Sequence, residues 1–131
     1  MNTVEPSAER ADRNDPLTGE IIGAAFAVAR ELGHGFLESV YRRSLAHELM
    51  FRNVPAQEEI EFKIHYRGAP VGPYVADLVV AEAVIVEVKA VEAITNAHLG
   101  QTLNYLKASG LGRGLVLNVG TPEPGIQRVI R

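Results

Sequence analysis

The 131-residue chain contains no cysteine. Disulfides, thiolate metal sites and cysteine nucleophiles are thereby excluded, and any metal must be held by oxygen or imidazole. The lack of cysteine is compatible with a reducing compartment. No stretch approaches the ~18 consecutive apolar residues of a membrane span, and the opening Met1–Arg10 has no basic-then-apolar layout of a signal peptide. A cytoplasmic protein with no membrane association is the expectation. Basic charge is not in excess: 13 Lys and Arg against 16 Asp and Glu leave a net −3. That balance argues against strong nonspecific binding to nucleic acid but leaves room for a locally basic cleft around a metal ion. Internal repeats, low-complexity tracts and sequence-reading elements such as a helix-turn-helix or zinc finger are also missing. What remains is a globular composition, 47% hydrophobic and 22% charged, at a length that suits one domain.

Against that background Tyr74–Val91 stands out, because it sets Asp77, Glu87 and Lys89 inside the most apolar part of the chain. Two Val- and Ile-rich runs separated by Ala81-Glu82-Ala83 predict a β-hairpin, and strand alternation puts Glu87 and Lys89 on one face. With those residues as the loop, Val80 pairs with Val84, and counting back sets Asp77 across from Glu87. Directly opposed residues have Cβ atoms about 5 Å apart, and like charges there repel. A half-buried carboxylate pair raises one of its own pKa values unless something positive sits between them. Lys89 is one candidate and a divalent cation the other. The plainer alternative is a solvated hairpin face on which Lys89 merely neutralises Glu87. Both strands are apolar on both faces, as inside a sheet, which weighs against it.

In chain order, residues 1–14 are polar and aperiodic and are expected to form a flexible N-terminal tail, with a single domain over 15–131. Asp15-Pro16 is a helix start, and Ile21, Ile22, Ala25, Val28, Ala29 and Leu32 supply the helix's apolar stripe. After the Gly33-His34-Gly35 break, a second helix is predicted from near Phe36 to about Arg52. Phe36, Leu37, Val40, Leu45, Leu49 and Met50 lie mostly on one face of it, and Glu38 and Tyr41 point the same way. Ile60, Phe62, Ile64 and Tyr66 alternate with charged residues as an edge strand, and Arg67–Pro73 reads as a turn. Thr95 can cap a helix over Asn96–Ser109 that Gly110 stops; Leu99, Leu103 and Leu106 form its buried seam, with His98, Gln101 and Tyr105 on another face. Arg113–Asn118 is a buried strand and Ile126–Ile130 a short edge strand. The order helix, helix, three-stranded meander, helix, strand is that of a mixed α/β (α+β) domain.

Gly35-Phe36-Leu37-Glu38-Ser39-Val40-Tyr41 resembles the Gly-x-x-Glu-x-x-Tyr signature of the GxxExxY proteins. Glu87–Val91, Gln101–Leu106 and Gly114–Asn118 resemble that group's later blocks in the same order, so the likeness spans roughly residues 17–131. The group is placed in the PD-(D/E)XK nuclease superfamily, and the resemblance implies a restriction-endonuclease-like core with metal-binding acids on the second and third strands of the meander. It makes Asp77 the motif's Asp, Glu87 and Lys89 its Glu-x-Lys element, and Glu38 the accessory acid of the first helix. Gln101 and Tyr105 match a Gln-x-x-x-Tyr pattern that supports substrate or active-site geometry, while Ala76 replaces the proline that usually precedes the Asp. A nucleic-acid partner, DNA or RNA, and a homodimer are further implications.

The chemistry fits the residues in its own right. Phosphodiester hydrolysis needs a cation that neutralises developing charge and lowers the pKa of an attacking water. Mg²⁺ or Mn²⁺ takes oxygen ligands, for which one or two carboxylates plus water and phosphate suffice. Asp77 and Glu87 are the expected carboxylates, the Val88 carbonyl a third ligand and Glu38 an outer one; Lys89 orients water and stabilises charge. Arg42, Arg43, Lys107 and Arg113 are candidate phosphate contacts. The rival expectation is a noncatalytic module that keeps the fold and binds nucleic acid or protein.

Overall fold

The computed structural model describes Thr3–Glu5 and residues 15–131. Helix α1 (Pro16–Leu32) starts where the Asp15-Pro16 signal sets it. The Asp15 carboxylate accepts the Thr18 N–H at 3.2 Å and the Thr18 hydroxyl at 2.5 Å. It also receives Arg113, and Arg128 at 3.7 Å, so a local cap doubles as a tie to the sheet. Helix α2 (Glu38–Phe51) begins later than expected. Gly33 (φ 71) and Gly35 (φ 114) take backbone conformations that favour glycine and leave Phe36 and Leu37 outside the helix, both exposed. Tyr41, Leu45 and Leu49 form its buried face; Met50, one residue round from Leu49, turns to solvent.

The sheet has the order β1-β6-β5-β4-β3-β2. Its members are β1 (Thr3–Glu5), β2 (Ala56–Tyr66), β3 (Ala69–Val80), β4 (Val84–Lys89), β5 (Arg113–Asn118) and β6 (Gly125–Ile130). Strands β2, β3 and β4 form the expected antiparallel meander with β2 at the edge. Helix α3 (Asn96–Ser109) then carries the chain to β5, which runs parallel to β4 as such a crossover requires. Thr95 caps it in a box with His98, and Gly110 ends it at φ 79. Strand β6 is interior rather than an edge, because Thr3–Glu5 of the expected tail pairs outside it. The rest of residues 1–14 lies outside the described residues.

Helices α1 and α2 cover one face of the sheet, where Ile21, Ile22, Leu45 and Leu49 meet Leu78, Val80, Val84, Val86, Leu115 and Leu117. Helix α3 covers the other, with Tyr105 and Leu106 against Ile85, Val116 and Val129. Coverage on both sides is why β4 and β5 read as continuous apolar runs. The α3 seam differs from expectation: Thr102, Tyr105 and Leu106 are buried, and Leu99 and Leu103 only partly so. Among the described residues no helix is long and apolar enough to cross a membrane.

The two hairpins differ in how far the turn signals reached. Ala81-Glu82-Ala83 is the β3–β4 loop, with Val80 opposite Val84 as the pattern predicts. The β2–β3 turn is only Arg67-Gly68 (φ 50 and 81), not Arg67–Pro73. Pro70 and Pro73 stand in β3 opposite His65 and Lys63, where β3 has no second neighbour to bond. A reversal of faces separates the two halves of this strand pair. Ala56, Leu78 and Val80 pack toward α1 and α2, whereas Ile60, Phe62, Tyr74 and Ala76 pack toward α3. The switch falls where pairing skips from Glu58↔Leu78 to Ile60↔Ala76, at Glu59 (φ 53) and Asp77. A left-handed residue rotates the strand there, so uniform alternation along β2 does not hold.

Candidate active site

Asp77 lies at a fork. On its C-terminal side β3 is paired with β4 from Leu78↔Val86 onward; on its N-terminal side β3 keeps only β2 as a partner. Side chains replace the ladder at this point. The Asp77 N–H donates to Glu87 Oε2 at 2.8 Å, and the Val88 N–H donates to Asp77 Oδ2 at 2.7 Å. Each carboxylate thus satisfies a backbone donor of the opposite strand, and the predicted Asp77–Glu87 opposition is realised as this reciprocal clasp.

Glu87 is 3% exposed and Asp77 half-buried. Burial, and next the Asp77 carboxylate, push Glu87 up to about 8, with the Asp77 N–H and Lys89 opposing. Asp77 is also raised by burial, against the Val88 N–H and the fields of Lys89 and Arg42. Lys89 acts on the pair through space, and its Nζ donates to Gln101 Oε1 of α3 at 3.3 Å. The helix spacing therefore does bring Gln101 beside Lys89. Tyr105, one turn further along α3, is buried edge-on against Tyr74, ring centroids 4.2 Å apart. Burial, then the Glu87 charge, push its phenol up to about 12, so it stays a protonated donor at neutral pH.

Glu38 approaches from the start of α2 and accepts the Ala90 N–H at 2.7 Å through Oε2. The loop before it is pinned by Tyr41, whose hydroxyl donates to the Gly33 carbonyl at 2.6 Å and accepts the Phe36 N–H at 3.3 Å. The Gly35, Glu38 and Tyr41 spacing thus has a mechanical meaning: a turn, an arm to the end of β4, and an anchor. One contributor escaped the sequence reading. Asn118 Oδ1 accepts the Val91 and Gly120 N–H groups, holding the segment after Lys89 in place; its one signal is a polar residue closing a buried run. Arg42 lies one turn after Glu38 and pairs with Glu58 at 3.3 Å and Glu59 at 3.5 Å. Arg113 stands at the far end of β5 from Asn118, bound to Asp15. Arg43 lines a groove of about 920 Å³ toward the C-terminal half of α2, and Lys107 lies in the last turn of α3.

No group of three or more acidic or imidazole side chains among the described residues could by itself hold a metal ion. The donor set nevertheless suits a hard cation with few protein ligands. Asp77 Oδ1 and Glu87 Oε1 are left over after the two backbone bonds, on a buried pair whose raised pKa values are what a divalent charge would relieve.

A mixed sheet, helices on both faces and two carboxylates at the strand fork define a nuclease-like restriction-endonuclease fold. The family model described as the PD-(D/E)XK nuclease superfamily matches residues 15–129, and the chain belongs to that superfamily. None of the curated proteins and none of the solved structures compared with the chain matches it.

Proposed function

We propose that this chain is a Mg²⁺- or Mn²⁺-dependent nuclease that hydrolyses phosphodiester bonds of nucleic acid in the cytoplasm, and that it belongs to the GxxExxY group. The observation that carries the reading is the Asp77–Glu87 clasp: two carboxylates in an apolar sheet, each keeping an oxygen in reserve. Gly35, Glu38 and Tyr41, each with a structural task, support the narrower grouping. When bound, the cation supplies Lewis-acid charge stabilisation and a water of lowered pKa. Asp77 and Glu87 would hold it, with the Val88 carbonyl and Glu38 as the further donors the protein would offer. Lys89, steadied by Gln101, donates to the attacking water and to the phosphate oxygens as charge builds on them. Tyr105 offers its proton as a hydrogen-bond donor from α3. A homodimer would let two such sites address both strands of a duplex.

The deep burial of Glu87, 3% exposed, favours a second reading, a noncatalytic nucleic-acid- or protein-binding scaffold. One assay separates the two. Wild type and Lys89→Ala are incubated with labelled single-stranded, duplex and branched DNA and with RNA, in Mg²⁺, Mn²⁺ or EDTA. The nuclease reading expects metal-dependent cleavage that falls at least ~100-fold in the variant, the scale for losing a charge-stabilising donor. No cleavage, with no Mn²⁺ binding that depends on Asp77 and Glu87, leaves the scaffold.

A further inference from the structure

Beyond the fork at Asp77, the strands β2 and β3 continue as a two-stranded arm. Between Ala69 and Asp77 the only strand paired with β3 is β2, and a shift of register between Ile64 and His65 leaves Val71 outside the ladder. At about 3.4 Å per residue these nine positions extend roughly 30 Å. One face of the arm's base is braced on α3 through Ile60, Phe62 and Tyr74. The opposite face is open: Glu61, Lys63 and His65 on β2 and Val71, Pro73 and Val75 on β3 are all exposed, with Glu61 opposite Val75 at the arm's base. Toward the tip both faces are bare, with Tyr66 65% and Val71 60% exposed and Arg67 in the turn.

Charge along this arm is segregated. Between Phe62 and Ala76 there are Lys63, His65 and Arg67 and no acidic residue, in a chain whose net charge is −3. The acids of β2, Glu58, Glu59 and Glu61, all lie at its base, and two of them are paired with Arg42. A twisted ribbon with a cationic, partly apolar tip complements a polyanion that has a groove. The major groove of B-form DNA admits a two-stranded ribbon, whereas that of A-form RNA is too deep and narrow for side chains to read.

We propose that the β2–β3 arm seats in the major groove of duplex DNA, with Lys63 and Arg67 on phosphates and Val71 and Tyr66 against the groove wall, so that the strand fork meets the adjacent backbone. This rests on the nuclease-like reading of the Asp77 site and adds the substrate class. It does not require the site to be catalytic.

The test is equilibrium binding of a labelled 20-base-pair duplex in EDTA over a range of salt, using wild type, Lys63→Gln/Arg67→Asn and the control Arg30→Gln. Asparagine tolerates the left-handed backbone at 67. Releasing two phosphate contacts should lower the slope of log K against log salt by about 2 and weaken binding at least ~10-fold, with the control unchanged. Tight wild-type binding with the same affinity and slope in the double variant overturns the arm's role and leaves the nucleic-acid reading intact. Equal affinity for single-stranded DNA or duplex RNA overturns the groove assignment. Absence of duplex binding by wild type overturns the arm's role as well, while the nuclease reading stands or falls separately on the cleavage assay above.

Discussion

The buried Glu87 carboxyl should make the metal-free protein lose stability as pH rises toward neutrality. Its pKa is raised from an ordinary 4.5 to about 8, so between those values the folded protein keeps a proton that the unfolded chain has released. The unfolded state binds fewer protons there, and the contribution is fully present below 4.5 and lost as pH rises through about 8. At about 1.4 kcal/mol per pH unit, and a little less near pH 5 where the unfolded carboxyl is still partly protonated, the loss between pH 5 and pH 7 is roughly 2 to 3 kcal/mol. Glu87→Gln keeps an acceptor for the Asp77 N–H and removes the titration. Urea unfolding in EDTA at pH 5, 6, 7 and 8 should show the variant gaining on wild type by that amount. Saturating Mn²⁺ should close the gap by stabilising wild type alone. A stability difference that does not widen with pH would refute the argument that Glu87 is held against its own charge.

Asp15 titrates in the opposite sense: burial would raise its carboxyl, but bonds from Thr18 and Arg113 outweigh it and hold the pKa below 3.8. Its contribution is present above 3.8 and lost as pH falls through the lowered value. Asp15→Ala, removing a cap and a buried partner of Arg113, should cost roughly 3 kcal/mol in thermal or urea unfolding, and Asp15→Asn less because the cap survives. Glu82 holds φ 54 in the β3–β4 loop, so Glu82→Gly should raise stability by about 1 kcal/mol. At Gly120 an added Cβ would collide with the Val91 backbone. Gly120→Ala should cost at least ~2 kcal/mol, the scale of overpacking, and should lower cleavage by displacing the segment that follows Lys89, read by denaturation and by the nuclease assay together.

Legibility followed the range of the interactions involved. Helix starts at Asp15 and Thr95 and the stop at Gly110 were readable because a cap is a contact over three or four residues. The β3–β4 register was readable too, since a short loop fixes which residues oppose each other. The extent of β3 was not: Pro70, Gly72 and Pro73 carry turn signals, yet the strand runs through them where its second edge is free. Nor was the reversal at Glu59 and Asp77, which depends on a left-handed residue that nothing in Gln57–Phe62 announces. Phe36, Leu37 and Met50 fit an apolar helical face by spacing alone, but three buried residues already fix how α2 sits on the sheet.

Sequence by itself determined the inventory: oxygen donors without thiols, a carboxylate placed on each of two adjoining strands, and a lysine two residues beyond the second. Tertiary structure decided what those groups are doing. Asp77 and Glu87 bond to each other's strand, Lys89 is drawn to Gln101 on α3, and Glu38 reaches Ala90 across 52 positions of chain. The physical reason is that pairing register is set by neighbours along the chain, whereas the burial that raises Glu87 comes from layers packed on the sheet. No local pattern encodes how deeply a residue will be covered by elements that fold onto it from elsewhere.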